Sequence, residues 1–217
     1  KVTGSTPDGK TRTSTFNLLV KRPSLLQDDF ESYQPGDQPR RARLVDGGRK
    51  ANLAITGATA ASGKQCLKLQ DAADFAKPCL PLICYRPICR TGMLTCRFDV
   101  RVEAGAIFFA SLRDWSRDSC LAGPDLQVKN GFLVSRGQQL MPVTTGKWYT
   151  IEISAGLGSQ ATGIWDLVVT PAGQAASRFA KLPLGSPGWN RANWFGFGNN
   201  SRVSSTCYFD NLKISCH

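Results

Sequence analysis

Two carboxylates are the side chains best spaced for acid–base chemistry. Asp99 and Glu103 lie on the same face of the alternating segment 97–103, with about 13 Å between their backbones at roughly 3.3 Å per residue. Hydrolysis of a glycoside needs two carboxylates that flank the scissile bond. Arg97 and Arg101 interleave with this pair and would keep both carboxylates ionised, which suits neither a general acid nor a raised pKa. Hydrolysis at this pair is therefore disfavoured.

Other catalytic arrangements lack a required partner. The one histidine, His217, is the last residue, and no G-x-S-x-G motif is present, so a serine nucleophile would have neither its usual turn nor a base. A lyase would need a Tyr or His base together with an Arg or Asn that neutralises the uronate, and no strand motif of that kind is recognisable. The sequence therefore predicts no catalytic residues.

Two tryptophans in polar loops are the best candidates for ligand binding. Trp115 and Trp189 have charged or amide neighbours, and an indole offers an apolar face on which a sugar ring can stack. Nearby arginines would bind carboxylate or sulfate groups through paired hydrogen bonds. The predicted ligand-binding residues are Trp115, Trp189, Arg113, Arg117 and Arg191. Burial of both loop tryptophans in the core stays open as the alternative, because most tryptophans are largely buried.

The chain is strongly basic, with 27 Lys and Arg against 16 Asp and Glu and a formal net charge of +11. The densest basic patch comprises Arg40, Arg41, Arg43, Arg49 and Lys50. Such a patch is either a solvated face or a surface that attracts an acidic polymer. No nucleic-acid-binding motif is recognisable, and no run of 18 apolar residues could span a membrane. An anionic polysaccharide is therefore the favoured partner.

Eight cysteines indicate an oxidising compartment, because an even number at this density is typical of disulfides in secreted or cell-surface proteins. The predicted disulfide cysteines are Cys66, Cys79, Cys84, Cys89, Cys96, Cys120, Cys207 and Cys216, in pairs that the sequence does not assign. Zinc binding over residues 79–96 is the alternative, but the spacings there are not CxxC, Pro81 and Pro87 interrupt them, and Pro78 directly precedes them. Since the chain begins with Lys1, we expect it to be part of a longer multidomain protein.

Period-two alternation predicts an all-β fold. Residues 94–103 and 147–154 alternate apolar with polar side chains, as half-buried antiparallel strands do. Further strands are predicted at residues 16–20, 66–69, 105–112, 132–135, 163–170, 194–198 and 207–214. Many short strands at this spacing indicate a two-sheet antiparallel β-sandwich, or jelly roll. Trp148, Trp165 and Trp194 lie in these strands and are expected in the core.

Residues 1–27 are predicted to be separate from the main domain, which spans residues 28–217. A turn at residues 7–10 and the strand that follows look like the end of an immunoglobulin-like module, and residues 21–24 have the proline and paired charges of a linker. The alternative is that this segment adds an edge strand to the main sandwich.

Three short segments resemble one group of proteins. They are DDFESY at residues 28–33, GKQCLKL at residues 63–69 and YFDNLKI at residues 208–214. Their order is similar to that in the concanavalin A-like (laminin G-like) and carbohydrate-binding-module jelly rolls of secreted bacterial proteins. The resemblance implies a sandwich of two antiparallel sheets in which the first and last strands are adjacent.

The same resemblance implies a structural calcium ion near that junction. Its ligands would be Asp29 or Glu31, the backbone carbonyl of Lys64, and Asp210, because calcium takes six to eight oxygen ligands. In the alternative interpretation the early acidic residues are solvated and Asp210 only hydrogen-bonds a loop.

Compartment, charge and resemblance together predict an extracellular, non-catalytic carbohydrate-binding or adhesion module for an anionic glycan. Two other functions stay open. One is a structural or assembly domain of a multidomain cell-surface protein, and the other is a divergent glycoside hydrolase or polysaccharide lyase.

Overall fold

The computed structural model describes residues 2–14, 24–45, 52–73, 80–116, 120–201 and 203–217. Within these ranges the regular structure is strands and a short 3-10 turn at Gly158–Gln160, and no helix is long and apolar enough to cross a membrane. The strands are β1 (Val2–Ser5), β2 (Thr11–Ser14), β3 (Ser24–Asp28), β4 (Arg43–Val45), β5 (Leu53–Thr56), β6 (Cys66–Asp71), β7 (Leu82–Tyr85), β8 (Gly92–Val102), β9 (Phe108–Asp114), β10 (Leu121–Lys129), β11 (Phe132–Ser135), β12 (Gln138–Pro142), β13 (Trp148–Leu157), β14 (Ile164–Pro171), β15 (Ser177–Pro183), β16 (Trp194–Asn199) and β17 (Ser205–Cys216). The predicted all-β class is confirmed.

Two large antiparallel sheets form a sandwich. One sheet has seven strands in the order β12-β11-β10-β9-β16-β7-β4. The other has the order β15-β14-β13-β8-β17-β6-β5, and β3 also pairs with β17. Neighbours that are distant in sequence, such as β9 and β16, show the crossovers expected of the predicted two-sheet sandwich.

Phenylalanines fill the space between the sheets. Phe195 and Phe197 from β16 both contact Phe209 from β17, and Phe195 also contacts Phe98 from β8. All four side chains are buried. Phe197 and Phe209 are stacked, with 3.6 Å between ring centroids and 12° between ring planes. Because strand side chains alternate between faces, burial of these phenylalanines directs the intervening residues of β16 to the outer face of its sheet.

The first and last strands of the sandwich are adjacent, as the resemblance implies. Strand β3 pairs with β17 from Asp28↔Leu212 to Cys216↔Ser24, and the ring of Phe30 lies 6.4 Å from that of Phe209. Because β3 begins at Ser24, it starts before the predicted domain boundary at residue 28. Strands β1 and β2 form a separate two-stranded sheet, and the strand predicted at residues 16–20 lies outside the described residues.

One disulfide is present in the described residues. It joins Cys89 to Cys216, which are 127 residues apart in sequence. The prediction of disulfides is wrong for the five described cysteines that carry free thiols, namely Cys66, Cys84, Cys96, Cys120 and Cys207, while Cys79 lies outside the described residues.

Burial explains most of these free thiols. All but Cys120 are buried, and a thiol at such a position packs as a small apolar group. Burial raises the pKa of Cys66 to about 12, and it also raises the pKa values of Cys96 and Cys207. In the parts of the chain that the structure describes, no three acidic, His or Cys side chains come together as a metal site would require.

Candidate functional site on the seven-stranded sheet

The outer face of the seven-stranded sheet carries a row of residues that crosses five strands. Antiparallel pairing places Arg43 opposite Cys84, Cys84 opposite Gly196, Gly196 opposite Ser111, and Ser111 opposite Asp125. The residues that alternate with this row belong to the core, so the row points away from the other sheet. It brings together residues that are more than 80 positions apart in sequence.

Two tryptophans lie at one end of this face. Trp115, which follows β9, is 53% exposed, and Trp194, the first residue of β16, is partly buried. The guanidinium of Arg113 stacks over the Trp194 ring at 4.9 Å from its centroid. The groove here has a volume of about 540 Å³ and is lined by Arg43, Arg86, Trp115, Asn193 and Trp194. It therefore offers both aromatic surface and positive charge.

Two glycines of β16 make room for aromatic rings on this face. A Cβ at Gly196 would lie 2.0 Å from the indole of Trp194, and a Cβ at Gly198 would lie 2.9 Å from the ring of Phe109. Both rings can therefore lie across the strand only because these positions lack side chains. The alternation of Trp194 with Phe195 and of Gly196 with Phe197 produces an aromatic outer face above a phenylalanine core.

One carboxylate lies at the centre of the face. Asp125 is partly buried, and burial raises its pKa above the ordinary value. The guanidiniums of Arg113 and Arg136 and a hydrogen bond from Ser111 act in the opposite direction but do not cancel the effect of burial. The Arg136 guanidinium also donates a hydrogen bond to the carbonyl of Leu184. The result is a partly buried carboxylate on which two cations act and whose pKa lies above its ordinary value.

A second depression continues beyond Asp125. It has a volume of about 310 Å³, and the side chains that line it include Gln127, Lys129, Arg136 and Gln139. Lys129 and Arg136 are exposed, so this end of the face is also positively charged. Together with Arg43, Arg86 and Arg113, these cations extend across the outer face from β4 to the end of β11.

The structure brings some of the predicted ligand-binding residues together. Trp115 lies in the groove, and Arg113 stacks on the Trp194 ring that lines it. Arg191 is exposed but is not among the residues that line the groove, and Arg117 lies outside the described residues. Of the predicted basic patch, Arg43 lines the groove, whereas Arg49 and Lys50 lie outside the described residues.

The predicted role of Trp189 in binding is wrong. Its side chain is 1% exposed and packs against Gly123, where a Cβ would lie 2.4 Å from the indole. The missing side chain at residue 123 opens the space that takes the ring into the core. Conversely, Trp194 and Trp148 are only partly buried and are not in the core as predicted, whereas Trp165 is. The signal for Trp194 was present, since it shares its strand face with Gly196 and not with the phenylalanines.

The residues predicted to bind calcium use their oxygens in other ways. One carboxylate oxygen of Glu31 accepts hydrogen bonds from the backbone N–H groups of Lys64 and Gln65. Asp210 is fully buried and accepts backbone N–H groups from residues 61, 62 and 211. Asp29 accepts the N–H of residue 31. These hydrogen bonds account for one oxygen each of Glu31 and Asp29 and for both oxygens of Asp210, and calcium binding stays a prediction.

Asp99 and Glu103 do not form a catalytic pair. Asp99 accepts hydrogen bonds from Thr150 and Asn211, and Glu103 forms a salt bridge of 2.7 Å with Arg101. Asp99 lies on β8 of the eight-stranded sheet and Glu103 directly follows that strand, so neither belongs to the sheet that carries Asp125. The hydrogen bonds of Asp99 and the ion pair of Glu103 give each carboxylate a structural role.

Comparisons with known proteins identify the fold. No protein-family model matches the sequence, and no curated relative does either. Among solved structures, the endo-β-1,4-glucuronan lyase from the fungus Trichoderma reesei has a TM-score of 0.58 at 9% identity, over 89% of this chain and 94% of that one. The PL-14 alginate lyase from Aplysia kurodai has a TM-score of 0.54 at 12% identity, over 77% and 88% of the two chains.

A mutant of alginate lyase Aly36B in complex with alginate tetrasaccharide has a TM-score of 0.54 at 13% identity, over 90% of this chain and 98% of that one. At such identities the likeness shows a shared jelly-roll fold. The concanavalin A-like assignment stays a prediction. The prediction of a non-catalytic module is contradicted, because these three neighbours are polysaccharide lyases.

Proposed function

We propose that this protein is a polysaccharide lyase that cleaves a uronate-containing polymer on the outer face of its seven-stranded sheet. The observation that carries the proposal is the position of Asp125 on the outer face of β10, opposite Ser111 of β9 and in the same depression as Arg136. There the charges of Arg113 and Arg136 act on a carboxylate whose pKa burial raises. The fold shared with glucuronan and alginate lyases supports the same conclusion.

The charges of the face support an anionic substrate. Arg43 and Arg86 lie at the tryptophan end, and Arg136 and Lys129 lie at the other. A polymer of uronates carries a carboxylate on each sugar, and arginine pairs with carboxylates through two parallel hydrogen bonds. A chain that crosses the strands would therefore meet a cation along most of its path, while its rings contact Trp115.

Cleavage by β-elimination needs a cation and a base, and the centre of the face supplies both. Arg113 and Arg136 would bind the carboxylate of one uronate and stabilise the negative charge that develops when its C5 proton is removed. Asp125 would accept that proton. The electron pair of the C5–H bond forms a C4=C5 double bond, and the C4–O bond breaks. The departing oxygen takes the proton from Asp125 and becomes the hydroxyl group of a new reducing end.

Hydrolysis is the second candidate reaction, and the residues of this face disfavour it. A glycoside hydrolase needs two carboxylates on either side of the scissile bond. Among the described strand residues that point outward from this sheet, Asp125 is the one carboxylate. Elimination needs no second carboxylate, because the arginines stabilise the charge.

The disulfide between Cys89 and Cys216 supports a location outside the cytosol. Disulfides persist in oxidising compartments and are rare where cellular thiols keep cysteines reduced. Long acidic polysaccharides are substrates that a secreted or cell-surface enzyme would meet.

The test is product formation from polyglucuronate and from alginate, followed by the ultraviolet absorbance of the C4=C5 double bond. We expect activity in the wild type and a loss of about 10²- to 10⁴-fold in kcat for Asp125→Asn, which keeps the shape but cannot accept the proton. Glu152→Gln, a partly buried carboxylate change on β13 of the other sheet, is the matched control and should retain activity. New reducing ends without absorbance would indicate hydrolysis. Binding of both polymers without new reducing ends would refute a cleaving function on these substrates.

A further inference from the structure

We propose that Asp114 and Asn193 are positioning residues that hold Trp115 beside Trp194, so that this end of the groove forms a stacking subsite for an acidic pyranose. The subsite adjoins the centre at Asp125 through Arg113, which stacks on Trp194, and the two tryptophans contribute to binding and not to bond cleavage. The inference rests on the proposed function, since it assigns the groove to a polysaccharide.

Asn193 connects the end of β9 to the start of β16 through three hydrogen bonds. Its backbone N–H donates to the carbonyl of Arg113 at 3.1 Å. Its side-chain oxygen accepts the backbone N–H of Trp115 at 2.8 Å, and its side-chain nitrogen donates to Asp114 at 3.0 Å. The backbone of Trp115 is thereby fixed to the residue that directly precedes Trp194.

Asp114 is 1% exposed, although it is a charged residue next to a surface loop. Burial of a carboxylate is costly unless hydrogen bonds replace its water. Its Oδ1 atom accepts the N–H of Ser116 at 2.9 Å in addition to the amide of Asn193. Both donors belong to the segments that carry the two tryptophans. These hydrogen bonds therefore hold the loop at Trp115 in a fixed position relative to the start of β16.

The residues around the two indoles indicate which ligand the subsite takes. Trp115 is 53% exposed, although its backbone N–H donates a hydrogen bond to the side-chain oxygen of Asn193, so the side chain is presented to solvent while its backbone is held in place. The apolar face of a pyranose stacks on such a ring. Arg43 and Arg86 line the same groove and are exposed, so they can pair with an acidic substituent of that sugar.

A charge exchange between the two residues tests the positioning role. Asn193→Asp keeps the acceptor for the Trp115 N–H but sets a second carboxylate against Asp114, which separates the two segments. Asp114→Asn keeps an oxygen acceptor for both of its donors. The double variant D114N/N193D restores a donor and an acceptor with the roles exchanged. The readouts are retention in gels that contain polyglucuronate or alginate, KM and kcat for elimination, and the melting temperature.

We expect N193D to weaken retention and raise KM about tenfold, as W115A does, with kcat nearly unchanged, and we expect the double variant to restore most of the loss. A KM and retention equal to those of the wild type in N193D would overturn the inference while the lyase function stands. If N193D does not fold, W115A provides the test, because the Trp115 side chain is exposed and its removal should leave the fold intact. Unchanged retention of W115A would also overturn the proposed stacking subsite. A wild type that is retained but does not cleave would refute the lyase function alone, and one that is neither retained nor active would refute both.

Discussion

The indole of Trp194 lies so close to Gly196 that a methyl group at residue 196 would be 2.0 Å from the ring. The glycine is buried beneath the indole on the same face of β16. One absent side chain thus determines whether the tryptophan lies across the sheet, where it lines the groove and takes the stacked guanidinium of Arg113.

Gly196→Ala tests this relationship. The added methyl group must displace the Trp194 ring, because the backbone of a central strand has little freedom to move. We expect about tenfold weaker retention of the acidic polymer and a change in tryptophan fluorescence, both measured against Gly188→Ala. At Gly188 an added Cβ would meet its nearest neighbour at 4.0 Å, so that variant should behave as the wild type. Equal retention in the two variants would show that the position of Trp194 is unimportant for binding.

Trp189 and Trp115 should differ sharply in their effects on stability. Trp189→Ala removes a ring that is 1% exposed, and we expect a loss of about 3–5 kcal/mol in the free energy of unfolding. Trp115→Ala removes a ring that is 53% exposed, and we expect a change within about 1 kcal/mol. Urea denaturation followed by circular dichroism measures both. Similar losses in the two variants would contradict the distinction between a core residue and a groove residue.

Asp210 should make stability depend on pH. Burial, and to a smaller extent the charge of Asp99, raises the pKa of Asp210 from 3.8 to about 6, even though three backbone N–H groups lower it. Since the folded state holds the proton more tightly than the unfolded state, this contribution is fully present below pH 3.8 and is lost as pH rises through about 6. The shift corresponds to about 3 kcal/mol.

The measurement is the difference in free energy of unfolding between the wild type and Asp210→Asn at several values from pH 4 to pH 7. We expect the wild type to lose stability relative to the variant as pH rises through this range. A difference that does not change with pH would show that Asp210 has the same pKa in both states.

The Cys89–Cys216 disulfide should stabilise the sandwich and support the groove. It closes a loop of 127 residues, for which chain entropy predicts about 4–5 kcal/mol. Cys89 also exchanges two backbone hydrogen bonds with Ala192, of 3.0 and 2.9 Å, next to the residue that holds Trp115. We expect a dithiol reductant to lower the melting temperature of the wild type but not that of C89A/C216A. Cys120→Ser should respond to the reductant as the wild type does, since Cys120 is a free thiol.

The fold class could be predicted from the sequence because it depends on local alternation. The alternation of apolar and polar residues shows which face of each strand is buried. The bounds of β8, β11, β13 and β17 agree closely with the predicted segments. The contact between the first and last strands was also predicted, from short segments that resemble those of other jelly rolls. The free thiols were not predicted, because the sequence does not show whether a cysteine lies next to a second cysteine in the fold or packs among apolar side chains.

Asp125, Arg113, Arg136 and Trp194 are separated by up to 81 residues, and no motif connects them. The amino-acid order alone determined an alternating, basic, cysteine-containing chain that must fold into two layers. Which of its polar residues meet was decided only by the pairing of β9 with β16 and β10. The register of paired strands sets which side chains lie next to each other, and the sequence does not state that register.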